Sequence, residues 1–228
     1  MPVTTAHRRR LREVWRSAGW PAQDGVEAEL LVAGLLERVR DAAGRETVRL
    51  TDAGLQLLAA TLQKNRDARG AHEALVARVA VTMQRAGRVV WRGISLRAPL
   101  AGEDGTTQWA MAMPDVFSIR LTTVEDYLEP IVHEVKVRRA DLLGDLRQTT
   151  KREAYLALAS QCWYVLKEGI GAAAEVPAEC GVLIAGVDGL EVARPAPKRA
   201  MRLPFATWMA LARASAEPPL DDEAQALL

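Results

Sequence analysis

The chain has 228 residues, 49% of them hydrophobic and 26% charged, with a formal net charge of +1. That length fits one or two domains, since domains typically run to about 100–200 residues, and the near-zero charge gives no sign of a globally basic partner surface, so any basic patch must be local. Two cysteines, Cys162 and Cys180, exclude a disulfide framework and a four-cysteine zinc site, and no apolar run approaches the roughly 20 residues a membrane helix needs.

At the N-terminus, His7-Arg8-Arg9-Arg10 is not followed by the apolar run of a secretory signal. An Arg-rich start also fits an organelle transit peptide. Leu11, Val14 and Trp15 read instead as the inner face of a first helix, over residues 11–17, ended by Gly19 and Pro21. A second helix is expected over 26–41, where Leu30, Leu31, Gly34, Leu35, Leu36 and Val39 stand near helical spacing. Gly44 breaks it. Thr47-Val48-Arg49-Leu50 is β-prone, and Thr51 or Asp52 can cap the helix that follows.

From residue 71 the pattern becomes an alternation of helix and strand. A helix is expected over 71–85 and strands over 88–97, within 109–119 (entered through Pro114), and over 131–137. Helix follows over 141–159, in one or two pieces, then strands over 162–166, 182–185 and 190–193, and a helix over 205–213. The tail 218–228 has few anchors and is expected to be mobile. This order predicts an α/β fold with a mixed β-sheet flanked by helices. The expected domains are 1–69, 70–200, and a C-terminal helix and tail over 201–228.

Chemistry concentrates on the strand Ile131-Val132-His133-Glu134-Val135-Lys136-Val137. Alternation puts Glu134 and Lys136 on one face and His133 on the other. Taken alone, the pair is explained by an ion pair at an open sheet edge, because unpaired buried charge costs several kcal/mol per ion. Asp115, after Pro114, and Glu73, at the edge of the apolar face of its helix, add two acids on elements that this topology brings together. Carboxylate oxygens suit magnesium and manganese. A metal on Asp115 and Glu134 would polarise a phosphodiester and acidify a bound water, and Lys136 would orient that water or stabilise phosphate charge.

Pro114-Asp115 followed by Glu134-Val135-Lys136 resembles the signature of the PD-(D/E)xK nuclease superfamily. The resemblance implies a restriction-endonuclease-like core over about 71–193. It implies a Mg²⁺ or Mn²⁺ ion on Asp115, Glu134 and the Val135 backbone carbonyl, with Glu73 acting through water and Lys136 as catalytic lysine. The segments Val137 to Leu142, Tyr155, Trp163-Tyr164-Val165 and Val176-Pro177 before Gly181-Val182-Leu183 are similar to bacterial MmcB-like proteins linked to DNA repair. Gln161 and Tyr164 stand three apart, not four as in the helical Gln and Tyr of some RecB-like nucleases, and take no such role.

The first 69 residues resemble a winged-helix domain, in the order helix, helix, short strand and then Leu50-Thr51-Asp52-Ala53-Gly54 opening a helix; a plain helical bundle is the other reading. Arg45 and Arg49 flank the wing, where they either touch a DNA backbone or simply solvate the surface. Arg138, Arg139, Lys151 and Arg152 would contact phosphates near the site or form a solvated face, and Tyr155, four residues after Lys151, would line the cleft or pack. His133 reads as structural, and His7 and His72 have no partners at metal-ligand spacing. The expected function is a metal-dependent DNA nuclease, with DNA as partner, no membrane, a homodimer admitted, and a cytoplasmic, nucleoid-associated location. The alternative is a non-catalytic DNA-binding or regulatory protein on the same fold.

Overall fold

The computed structural model describes residues 2–102 and 104–220. The chain divides into two compact units, Met1–Arg69 and Gly70–Leu228.

The first unit holds α1 (Thr5–Arg16), α2 (Gly25–Val32), the antiparallel hairpin β1 (Leu36–Arg40) with β2 (Glu46–Leu50), and the start of α3 (Asp52–Arg85). Leu11, Leu30, Leu36 and Val48 form its core, whereas Trp15 is exposed and is not part of an inner face. The helix expected over 26–41 stops at Val32 because Gly34 adopts φ 66°. There the Leu35 N–H donates to Leu30 O and the Gly34 N–H to Leu31 O, the paired bonds of a glycine-terminated helix. The leucines after Gly34 therefore open a strand. Thr51 caps α3, its Oγ1 accepting from the Gly54 N–H at 3.1 Å. Gly54 is required there, since a Cβ would stand 2.1 Å from the Leu35 carbonyl oxygen.

α3 is one helix of 34 residues, where the sequence pattern suggested a break near 70. No proline interrupts it, and Gly70 alone costs only about 1 kcal/mol against alanine.

The second unit is built on a six-stranded sheet in the order β10-β9-β8-β7-β6-β3. Its strands are β3 (Arg88–Arg92), β6 (Val116–Arg120), β7 (Ile131–Lys136), β8 (Gln161–Lys167), β9 (Gly181–Ala185) and β10 (Leu190–Arg194). β7, β8 and β9 are mutually parallel; the other neighbours are antiparallel. The sheet is thus mixed and flanked by helices, as expected. Between β7 and β8 run α4 (Arg139–Leu146) and α5 (Thr149–Leu158), so the helical stretch is in two pieces. Two strands not separated in the sequence reading, β4 (Leu96–Ala101) and β5 (Thr107–Ala112), form a separate hairpin.

One sheet face packs Phe117, Val132, Tyr164 and Leu166 against Tyr155 and Leu158 of α5. The other packs Val90, Val116, Val135 and Val165 against Leu75, Val76 and Val79 of α3. Burial on both faces explains the near-continuous apolar runs of these strands. After α6 (Phe205–Arg213), the tail is anchored at 217–218. The Glu217 N–H donates to Val90 O at 2.8 Å, Arg92 pairs with Glu217, and Gln84 donates to Pro218 O. Backbone groups of β3 at the sheet edge recruit this segment. Beyond 220 the expected mobile tail lies outside the described residues. Among the described residues no helix is long and apolar enough to cross a membrane.

Candidate active site

Every residue of β7 is buried. Glu134 and Lys136 share a face, as alternation requires, and the Lys136 ammonium donates to Glu134 Oε1. The pair sits on an interior strand, not at an open edge. The register pairing Val116 with His133 continues by one residue to set Asp115 across from Glu134, at the entrance to β6. Asp115 Oδ2 accepts from the Val135 N–H at 2.7 Å. On the other side of β7, the parallel register sets Tyr164 beside Glu134. The structure therefore gathers Asp115, Glu134 and Lys136 at one end of two adjacent strands.

Glu134 is surrounded by donors. Lys136 and Lys151 both meet Oε1, Lys151 at 2.6 Å, and the Tyr155 hydroxyl donates to Oε2 at 2.9 Å or to the Met113 carbonyl at 3.0 Å. Lys151 and Tyr155 stand one turn apart on α5, so one helix face supplies both. They belong to the buried site and not to an open basic face.

Asp145, on α4, completes the cluster and was missed in the sequence. Its Oδ1 meets Lys151 and lies 3.4 Å from Lys136, and its Oδ2 accepts from the Tyr164 hydroxyl at 2.7 Å. The signal was present: Asp145 falls three residues after the fully buried Leu142, an acid on the apolar stripe of its helix. Tyr164 takes no role from its spacing to Gln161, yet strand alternation places it with Cys162 and Leu166 on the face that carries Glu134 in the neighbouring strand.

These contacts set the charges. Burial opposes ionisation of Asp145, yet the ammoniums of Lys136 and Lys151 and the Tyr164 hydroxyl outweigh it and hold its pKa below the usual carboxylate range. Burial also disfavours the Lys151 ammonium, but Glu134 and Asp145 hold its pKa above that of ordinary lysine. Asp115 goes the other way. Burial first, and then the negative charge of Glu134, push its carboxyl pKa up. Burial and Glu134 also raise the Tyr155 phenol, so its proton stays in place as a donor.

Glu73 is less closely held. Its side chain is exposed and meets His72 Nδ1 at 3.5 Å. It lines a cavity of about 370 Å³ with His72, Arg92, Asp115 and Glu217. His72, which has no partners at metal-ligand spacing in the sequence, bridges Glu73 and Asp115, with Nε2 3.4 Å from Asp115 Oδ2. Glu73 follows it directly in the chain, but Asp115 comes from a strand entrance far along the sequence, a pairing that spacing does not reveal. His133 is structural as expected: fully buried, with Nδ1 lacking a hydrogen-bond partner among the described residues. Arg139 pairs with Glu175 at 2.5 Å, Arg152 with Glu179 at 3.0 Å, and Arg45 with Asp41 at 2.8 Å. Arg49 is exposed on β2, opposite Glu37.

Among the described residues no three Asp, Glu, His or Cys side chains are arranged as a cage. Asp115 and Glu134 offer carboxylate oxygens, the donor type that magnesium takes one or two at a time while keeping several waters.

No protein-family model matches the chain, and no curated protein matches it. Among solved structures it is similar to a protein of unknown function from Silicibacter pomeroyi, at 23% sequence identity and a TM-score of 0.39, over 66% of this chain and 86% of that one.

Proposed function

We propose that this chain is a metal-dependent deoxyribonuclease of the PD-(D/E)xK kind, hydrolysing phosphodiester bonds in DNA repair or processing. The observation that carries the reading is the meeting of Asp115, Glu134 and Lys136 at one end of two adjacent strands. Asp115, Glu134 and the Val135 carbonyl would hold Mg²⁺ or Mn²⁺, with Glu73 contributing through water. An ion of this type neutralises phosphate charge and lowers the pKa of a bound water.

The protein's own groups have separable tasks. Lys136, buried and fixed between Glu134 and Asp145, carries a positive charge suited to the phosphate as it gains negative character. Tyr155 holds Glu134 Oε2 and keeps the carboxylate in one orientation. The Val135 N–H holds Asp115. The first unit, with its two helices, hairpin and following helix, would act as a winged-helix domain gripping the duplex, Arg49 on the hairpin touching the backbone. Such an enzyme works in the cytoplasm on nucleoid DNA.

One observation favours a second reading. Both oxygens of Glu134 are already engaged by lysine and tyrosine donors, an arrangement complete in itself, as in a non-catalytic DNA-binding or regulatory protein on this fold. Incubating the pure protein with single-stranded, duplex and branched DNAs, with and without Mn²⁺, separates the two. Metal-dependent cleavage of at least one substrate is expected; binding without cleavage of any would favour the second reading.

A further inference from the structure

The buried cluster balances its own charge. Two carboxylates, Glu134 and Asp145, face two ammoniums, Lys136 and Lys151. The two lysines are not equivalent. Lys136 projects from the central strand and its side chain is 11% exposed. Lys151 projects from the first turn of α5, and its side chain is 28% exposed. Its ammonium reaches Glu134 Oε1 and Asp145 Oδ1 from the solvent side, and 5.4 Å away lies the ring of Tyr155. A lysine stem is flexible and its head strongly hydrated, so this ammonium can exchange the cluster for water. On leaving, it would give up one of the two ammonium contacts on Glu134 Oε1, the other being that of Lys136.

We propose that Lys151 is the resident cation of this site, and that a divalent ion reaches Glu134 only by displacing its ammonium. The inference rests on the metal-site reading of Asp115 and Glu134 and deepens it. It explains how two carboxylates this deeply buried are stable without metal: burial of an unpaired charge costs several kcal/mol, and Lys151 joins Lys136 in pairing Glu134 and Asp145. It also makes metal binding a competition. The ion must separate Lys151 from Glu134 before it gains the oxygen, which weakens its apparent affinity. Asp145 then becomes the group that keeps the displaced lysine near, since it holds Lys151 independently of Glu134.

The test is Mn²⁺ binding without DNA, read from the loss of the free-ion signal in electron paramagnetic resonance. Lys151→Met keeps the apolar stem and removes the charge; Lys151→Gln keeps a donor and removes the charge. Both should bind Mn²⁺ at least tenfold more tightly than the parent, and Lys151→Arg should not. In the unmodified chain, Mn²⁺ should also speed acetylation of Lys151, followed by mass spectrometry, and leave Lys136 unchanged, a result that needs no variant to fold. Equal or weaker binding in both uncharged variants, with no change in Lys151 labelling, overturns the displacement and leaves the metal site standing. If neither parent nor variants bind Mn²⁺, the displacement and the metal-site reading fall together.

Discussion

Asp145 and Lys136 lie on consecutive elements, and the carboxylate Oδ1 stands 3.4 Å from the Lys136 ammonium while also meeting Lys151. Asp145 is thus the counter-ion of both lysines that touch Glu134. Asp145→Ala leaves two ammoniums to one buried carboxylate, and loss of one partner from a buried ion pair costs on the order of 3–5 kcal/mol. Urea denaturation at pH 7 should show a loss of that size, and Asp145→Asn a smaller one. The folded pKa of Asp145 is held low, so its contribution is present above the ordinary carboxylate range and disappears as pH falls through that lowered value. The Asn variant should lack this part of the acid dependence.

Asp115 predicts the opposite sign. Its folded carboxyl binds a proton more readily than in the unfolded chain, so ionisation weakens the fold as pH rises through and above the ordinary carboxylate range. Asp115→Asn cannot ionise and keeps an acceptor for the Val135 N–H. It should melt higher than the parent at pH 7 without metal, with the advantage shrinking toward pH 4. Mn²⁺ should raise the parent's melting temperature and leave the variant's unchanged.

His133 sets a separate acid limit. Burial first, and then the positive charge of Arg88, depress its pKa to about 3. The unfolded chain takes up this proton near pH 6.5 and the folded chain does not. Stability is therefore complete above about 6.5 and falls as pH drops toward 3, by an amount on the order of a few kcal/mol. His133→Leu, on the apolar face with Val135, should fold and lose this part of the pH dependence in denaturation series between pH 4 and 7.

Much of this was legible along the chain. Period-two alternation in residues 131–137 put Glu134 and Lys136 together, and the helix over 205–213 stands where its pattern placed it. The hairpin β1–β2 was half hidden because Leu35, Leu36 and Val39 also fit a helical face; the left-handed Gly34 decides between the two. Asp145 and Tyr164 were not assigned because their role arises from the α4 crossover and the β7–β8 register, pairings of residues about 20–30 positions apart. The engagement of Glu134 by Lys151 had the same cause. Lys151 looks like any first-turn surface lysine until α5 is laid against the sheet.

The first unit carries its own expectation. If it grips DNA, Arg45→Ala combined with Arg49→Ala should weaken binding and flatten its salt dependence by about one to two contacts' worth of counterion release. Arg45 is held by Asp41, so most of the change should come from Arg49. Fluorescence anisotropy at several salt concentrations reads this directly, and an unchanged slope would remove the hairpin from the DNA surface.

If Lys136 acts on the reacting phosphate, the cleavage kinetics of Lys136→Met will report it. Methionine keeps the packing of a buried position; because Lys136 also serves Glu134 and Asp145, the folded fraction is fixed first by thermal melting. On a DNA substrate cleaved with Mn²⁺, the variant should lose on the order of 10²-fold in rate, with DNA affinity little changed. Cleavage by the variant at the parent's rate, or DNA binding by both proteins with no metal-dependent cleavage of any substrate, would contradict it.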